Sequence, residues 1–330
     1  TALERGHACH SKRRSHARCA SHEHVLRVDG ADAMGTVTAK HIIVTGAAGY
    51  LGRAIVRAAE ARGHHVTQLV RTGPSGIAQD LSATSAAQVL SQQIRSADAI
   101  IHAASEMSGD WAVHERSSLP AIQNICALAK ALDAHLVHIS SIVIYDFEAL
   151  SEGVSVTETS PVESQPEQRD GYVRAKLAQE EIVAEHMPNA SVLRVGAIYG
   201  QGRVMNAHLG VGIGPVLLRL AARGQIPIAH REMVAEIAVR AAEEDMRGAV
   251  NVLDDDLPDR IRFIAALSAS GWPKLVIPFS WKLFAAAGAL LSFWKTRPGL
   301  LRRKVLHARM KPLAFDTALL RSLFSDLETQ

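Results

Sequence analysis

Tyr172 and Lys176 stand four residues apart in GYVRAK, residues 171 to 176, and together they could move a proton. Positions four apart share one face of a helix, so a phenol and an ammonium can point together into a cleft. A free phenol titrates near ~10 and is a poor base at neutral pH, whereas an ammonium beside it favours the phenolate. An amphipathic helix with a surface tyrosine and a solvated lysine produces the same spacing, so the pair takes its meaning from what precedes it.

The second stretch with chemical content is TGAAGYLG, residues 45 to 52, with Gly46, Gly49 and Gly52. A helix N-terminus offers unpaired N–H groups and partial positive charge, but a pyrophosphate reaches them only where no side chain intervenes. Gly46 permits the tight turn, Gly49 the close approach of phosphate, and Gly52 the packing of helix on strand. The stretch follows a strand-like run and opens a helical one, and in that context it points to a dinucleotide rather than to a surface turn. At the end of the next strand-like run, LVRTG puts Arg71 where an acidic residue would hold the ribose of NAD. A guanidinium favours the 2'-phosphate of NADP, so NADP is preferred. NAD stays open, since Arg71 could also lie on the adenine or face solvent.

The elements that must position these residues alternate regularly. KHIIVT (40 to 45) reads as a strand, YLGRAIVRAAEARG (50 to 63) as a helix ending in glycine, and HVTQLV (65 to 70) as a second strand, which makes a βαβ unit. Helices near 84 to 95, 119 to 132 and 171 to 187 then alternate with strands at 98 to 104, 135 to 141 and 190 to 195. This pattern predicts an α/β fold, a Rossmann-type doubly wound parallel sheet with a smaller, mainly helical C-terminal substrate region. The expected cofactor domain comprises 34 to 200 and 225 to 255; 201 to 224 and 256 to 330 would cover the substrate.

Taken together, several stretches resemble the extended short-chain dehydrogenase/reductases over about residues 40 to 255. They are the T-G-x-x-G-x-x-G run from Thr45 to Gly52, QDLS with Asp80 and Leu81, HAA at 102 to 104, SSIVIY at 140 to 145, YVRAK at 172 to 176 and RVGAIYG at 194 to 200. The resemblance implies that Thr45, Gly46, Gly49, Tyr50, Leu51 and Gly52 hold the dinucleotide, that Asp80 and Leu81 flank the adenine, and that Ala103 and Ala104 line the cofactor. It also implies that Lys176 bonds the nicotinamide ribose, that Tyr172 exchanges the proton at a substrate hydroxyl or carbonyl, and that Ser141 bonds the same oxygen. Ser140 competes for that last role, and the four-residue distance to Tyr145 favours Ser141. The implied activity is an NAD(P)-dependent oxidoreduction at a secondary alcohol or ketone. A nucleotide-sugar epimerase or dehydratase using the same hydride chemistry is the alternative, followed by a non-catalytic dinucleotide sensor. The Arg-Asp-aromatic-Val-His stretch common in nucleotide-sugar epimerases is broken here to PIAHREMV (227 to 234), where Arg231 could substitute.

Composition limits the partners. The chain of 330 residues is 48% hydrophobic and 21% charged, with a net charge of +3 too small and dispersed to argue for nucleic acid. Residues 1 to 33 hold Cys9, His10, Cys19, His22 and His24 but match no zinc-finger spacing, and no apolar run of signal-peptide length follows their basic residues. They are expected to be a disordered leader or extension, with a natural start at Met34, and no metal site is expected. Cys126 is then the only thiol of the body, which fits a reducing cytoplasm. Near the C-terminus, SWKLFAAAGALLSFW (280 to 294) is apolar but short for a bilayer span, and residues 295 to 311 carry seven Lys or Arg and no acid. That pair of segments reads as a buried helix followed by a solvated one, as a peripheral membrane contact through 280 to 311, or as a pocket wall for a phosphorylated substrate. The apolar-then-basic order, followed by Phe315-Asp316, also loosely resembles the 3β-hydroxysteroid dehydrogenase branch. The oligomeric state is open, a homodimer included.

Overall fold

The computed structural model describes residues 38–203, 208–290 and 299–325. The expected leader at 1 to 33, Met34 and the stretches 204–207 and 291–298 lie outside the described residues. Along the chain run β1 (His41–Thr45), α1 (Gly52–Ala61), β2 (His65–Val70), β3 (Ile77–Ala78), α2 (Ala86–Gln93), β4 (Ala99–His102), α3 (Trp111–Arg116), α4 (Ser118–Leu132), β5 (His135–Ser141), β6 (Ser155–Val156), α5 (Gly171–His186), β7 (Ser191–Val195) and β8 (Ala197–Tyr199). There follow β9 (Gly210–Ile213), β10 (Val216–Arg219), β11 (Ile228–His230), α6 (Arg231–Glu243), β12 (Gly248–Val252), α7 (Arg260–Ala269), β13 (Leu275–Pro278), α8 (Trp281–Leu290), α9 (Arg303–Met310), β14 (Ala314–Phe315) and α10 (Ala318–Leu323).

Seven strands form one parallel sheet in the order β12-β7-β5-β4-β1-β2-β3. Its central strands are apolar runs buried on both faces, as a parallel sheet covered by helices requires. Ile42 and Val44 face the core that includes Ala54, Ile55, Val234 and Ala238 of α1 and α6, while Ile43 and Ile100 face Leu90, Ile125 and Leu128 of α2 and α4. Each such side chain contributes roughly 1.5–3 kcal/mol by leaving water. The order reverses direction between β4 and β2, with β1 at the switch, so a crevice opens at the carboxyl ends of β1 and β4. The glycine turn follows β1 there, and Ser140 and Ser141 end the neighbouring β5.

The C-terminal region is mainly helical, with α7, α8, α9 and α10, and short strands are interleaved with these helices. A three-stranded sheet, β13-β10-β9, and the pairs β11-β8 and β14-β6 accompany its helices. These strands have only two to four residues each, too few for a periodic pattern to be read. The reading of 280 to 294 as a buried helix is overturned for its described part. Of α8 only Gly288 is buried, and Leu283 and Leu290 are 61% and 80% exposed. Among the described residues no helix is long and apolar enough to cross a membrane.

Candidate active site

The crevice is a cleft of about 950 Å³. At one side stands the glycine turn. Gly46 has φ +65°, and a Cβ added there would meet the Ala104 backbone at 2.8 Å. A Cβ on Gly52 would meet the Gly46 carbonyl oxygen at 2.0 Å, which is why α1 can begin so close against the end of β1. The turn is therefore a cradle that side chains would fill, and it fits a dinucleotide pyrophosphate at the N-terminus of α1. Gly46, Gly49, Tyr50, Leu51, Gly52, Arg71, Asp80, Leu81, Ala103 and Ala104 all line this cleft. Thr45 does not. It is fully buried behind the wall, where its hydroxyl accepts from the Ala104 N–H at 3.2 Å and pairs with His102 Nδ1 at 2.9 Å. Arg71 is exposed at the cleft margin, and its charge together with hydrogen bonds from Ser82 holds the Asp80 carboxyl below the usual range, the Ser82 bonds having the larger effect.

Ser141, Tyr172 and Lys176 line the same cleft. Asp170 caps α5 by accepting from the Val173 N–H at 3.1 Å, which starts the helix just before Tyr172 and sets the phenol at its first turn. Ser141 is the last residue of β5, and alternation along the strand sends Ser140 the other way. Ser140 donates to the Glu180 carboxylate, itself paired with Arg194 at 2.9 Å. Ser141 instead donates to the Val195 carbonyl at 3.2 Å, on the same cleft wall as the Tyr172 phenol. Burial raises the phenol above its ordinary value; the nearby Ser141 hydroxyl and the charge of Arg203 pull it back. Lys176 is only 3% exposed, donates to the Ile139 carbonyl at 2.8 Å and is lowered to about 8 by desolvation, against the opposing charge of Glu180. Residues from three elements thus meet: a strand end, a helix start and a glycine turn.

The RmlD substrate binding domain family matches residues 40–225, more than half of the chain. The chain belongs to this family. As an RmlD-family chain it is one of the extended short-chain dehydrogenase/reductases, with an NAD(P)-binding Rossmann fold, and it stands among reductases, epimerases and dehydratases. It is 29% identical over 172 residues to dTDP-4-dehydrorhamnose reductase of Mycolicibacterium smegmatis, covering 50% of this chain and 48% of that one. It is 27% identical over 270 residues to a 3-diazoavenalumate denitrifying reductase of a Streptomyces species, covering 72% of this chain and 86% of that one. The first match spans about half the length of its relative. A dTDP-4-dehydrorhamnose reductase structure from Clostridium acetobutylicum superposes with a TM-score of 0.64 at 18% identity, covering 86% of this chain and 92% of that one, which is a likeness of fold.

Two features of this RmlD-family chain were not legible from motifs. His102 and His138 lie side by side on β4 and β5, stacked at 5.7 Å between ring centroids. Burial and the Lys176 charge keep His102 neutral, its pKa lowered to about 3, and push His138 down as well. The pair forms a dry polar floor next to Lys176. The second feature is a wall to which α9, beyond the matched region, contributes Val305, Ala308 and Arg309 and the chain before β9 contributes His208. The pocket-wall reading of the basic segment did not single out these residues, because they come to the same cleft as Tyr172 only through the tertiary fold. Among the described residues no cluster of His, Cys, Asp or Glu could hold a metal ion.

Proposed function

We propose that this protein is an NAD(P)-dependent oxidoreductase that interconverts a secondary alcohol and a ketone. The observation that carries the reading is that Ser141, Tyr172 and Lys176 line the same cleft as the glycine turn. A dinucleotide would be held by Gly46, Gly49, Tyr50, Leu51 and Gly52 at its pyrophosphate, by Arg71, Asp80 and Leu81 toward its adenosine end, and by Ala103, Ala104 and Lys176 toward its nicotinamide end. When bound, a nicotinamide supplies the hydride acceptor or donor.

The protein's own residues do the rest. Tyr172 gives a proton to the carbonyl oxygen in reduction or takes it from the hydroxyl in oxidation, at its phenolic oxygen. Ser141 bonds that same substrate oxygen and holds it at the phenol, which lowers the entropy cost of reaching the reactive geometry. Lys176, fixed by the Ile139 carbonyl, places its positive charge beneath the tyrosine. The buried surroundings exclude water and strengthen each of these contacts.

NADP is the preferred dinucleotide because Arg71 stands at the end of β2 where a 2'-phosphate would lie. A nucleotide-sugar substrate is the second reading, favoured by the likeness to dTDP-4-dehydrorhamnose reductase. A panel of ketones, including nucleotide-linked ones, followed by loss of absorbance of the reduced nicotinamide tests the proposal. Stoichiometric consumption of NADPH is expected; turnover of a substrate without net consumption would instead mark an epimerase.

A further inference from the structure

The wall built by α9 is unusual in what it leaves unneutralised. Val305, Ala308 and Arg309 are three and four residues apart and so share one helix face, the one that lines the cleft. Leu306 and Met310 lie on another face and are buried against Leu220 and Ala221. The helix is anchored at both ends: Lys304 pairs with Glu163 at 2.7 Å, and Lys311 donates to the carbonyls of Phe147, Glu148 and Leu150. Arg260, 1% exposed, donates to the Arg309 carbonyl at 2.5 Å and to the His208 carbonyl at 2.9 Å, which ties both wall segments to α7. Such anchoring fixes the backbone that carries Arg309.

The other guanidiniums near the cleft are held in different ways. Arg169 is held by Glu163 at 3.1 Å and by the carbonyls of Val143 and Tyr145. Arg203 is exposed and lies over the Tyr50 ring. Arg231, the candidate for a diphosphate contact, bonds Glu232 at 2.9 Å and stacks on Tyr50 at 4.6 Å, and it is absent from the cleft wall. Arg309 is half-buried and has no carboxylate within ion-pair distance among the described residues. Arg309 lines the same cleft as Asp170 and Tyr172; burial lowers its pKa, and the Asp170 charge opposes that. The same cleft has apolar lining from Val143, Phe147, Val305 and Ala308, beside the polar Asp170 and His208. A desolvated guanidinium without a partner binds an oxyanion strongly, because little water need be displaced and two parallel N–H bonds can form.

We propose that Arg309 anchors a single anionic head group, a carboxylate or a phosphate monoester, on a substrate whose apolar body lies along Val143, Phe147, Val305 and Ala308. This deepens the oxidoreductase reading and rests on it for the placement of the reacting carbon at Tyr172. The anion site itself is testable without turnover. Calorimetric titration of the NADP-saturated full chain with octanoate, octyl phosphate and octanamide compares two anionic heads with an uncharged one on the same apolar body. One of the anions is expected to bind about ten-fold or more tighter than octanamide, the scale of a charge-assisted contact. The tighter of the two assigns the head group. Arg309→Gln should abolish the preference and Arg309→Lys retain part of it, with cofactor affinity unchanged in both. Tyr172→Phe should keep the preference while losing turnover, so that failure of the anion site and failure of the oxidoreductase reading are told apart. Equal binding of octanamide and both anions, no binding of either anion, a preference that survives Arg309→Gln, or dTDP binding more tightly than both anions irrespective of Arg309 would each overturn the proposal. Should Arg309→Gln not fold, the wild-type contrast and Arg309→Lys decide.

Discussion

The Lys176 ammonium lies 6.0 Å from the centroid of the Tyr172 ring and spends a hydrogen bond on the Ile139 carbonyl, 2.8 Å away. This arrangement differs from a simple ammonium-to-phenolate pair. The groups that lower the Tyr172 phenol against its burial are Ser141 and Arg203, whereas Lys176 sits at the outer limit of a cation–π contact. The lysine is thus placed to reach a ribose from beneath the tyrosine, while the serine bears most directly on the hydroxyl.

Burying Lys176 has a consequence for stability. Its pKa falls from 10.5 to about 8, so the folded state binds fewer protons than the unfolded state between those values. The contribution to stability is fully present above 10.5 and is lost as pH falls through about 8. At about 1.4 kcal/mol per unit this amounts to about 3 kcal/mol. Denaturant melts of the cofactor-free protein from pH 7.5 to 9.5 should show wild type gaining on Lys176→Met as pH rises. A difference independent of pH would contradict the assigned burial.

Arg71 is exposed, so its contact with a 2'-phosphate is partly screened. Arg71→Ala is expected to weaken NADP by about 1.5 kcal/mol, the low end for a hydrogen bond to a charged group. NAD should be nearly unaffected. Fluorescence titration with both dinucleotides checks this, and equal weakening would remove the case for NADP.

The exposed face of α8 and β13 is continuous in character: Leu275, Ile277, Phe279, Leu283 and Leu290 are all exposed. Lys274 and Arg302 lie in the same region of the chain, as do Lys282 and Arg303, which pair with Glu152 at 2.8 Å and Glu148 at 2.7 Å; cations beside exposed apolar side chains would meet an anionic lipid surface. Co-sedimentation with phosphatidylserine vesicles is expected at low salt, with release at high salt and loss in Leu283→Glu. A protein that stays in the supernatant at low salt, and that light scattering finds dimeric until Leu283→Glu is introduced, would assign this face to self-association.

The sequence made the sheet legible because its central strands are buried on both faces, and their β-branched runs alternate with helices of clear period. Gly46 and Gly52 were readable for a related reason, since steric demands at a strand-to-helix turn leave little choice of residue. Ser141 could be separated from Ser140 through its distance to Tyr145, and the fold separates them by strand alternation, with Ser140 bound to Glu180. Thr45, read as a cofactor residue, supports the wall from behind because its hydroxyl is taken by His102 and the Ala104 N–H. The basic segment could be read as a pocket wall, but nothing in it singled out Arg309, and His208 carried no signal, because their placement depends on Arg260 drawing distant backbone segments together. The apolar composition of α8 could not distinguish burial from display, which depends on what packs against the helix.

The central claim is that Tyr172 exchanges the substrate proton, with Ser141 holding the oxygen and Lys176 holding the cofactor. The three variants Tyr172→Phe, Ser141→Ala and Lys176→Met should therefore fail differently. Ser141→Ala should lose less turnover than the tyrosine variant, and Lys176→Met should lose both turnover and cofactor affinity. The most direct measurement is the turnover number of Tyr172→Phe beside its cofactor dissociation constant, on any ketone the wild type reduces. Removing only the hydroxyl should lower turnover by about 10² to 10⁴ while leaving the dissociation constant nearly unchanged. Wild-type turnover in Tyr172→Phe would contradict the account.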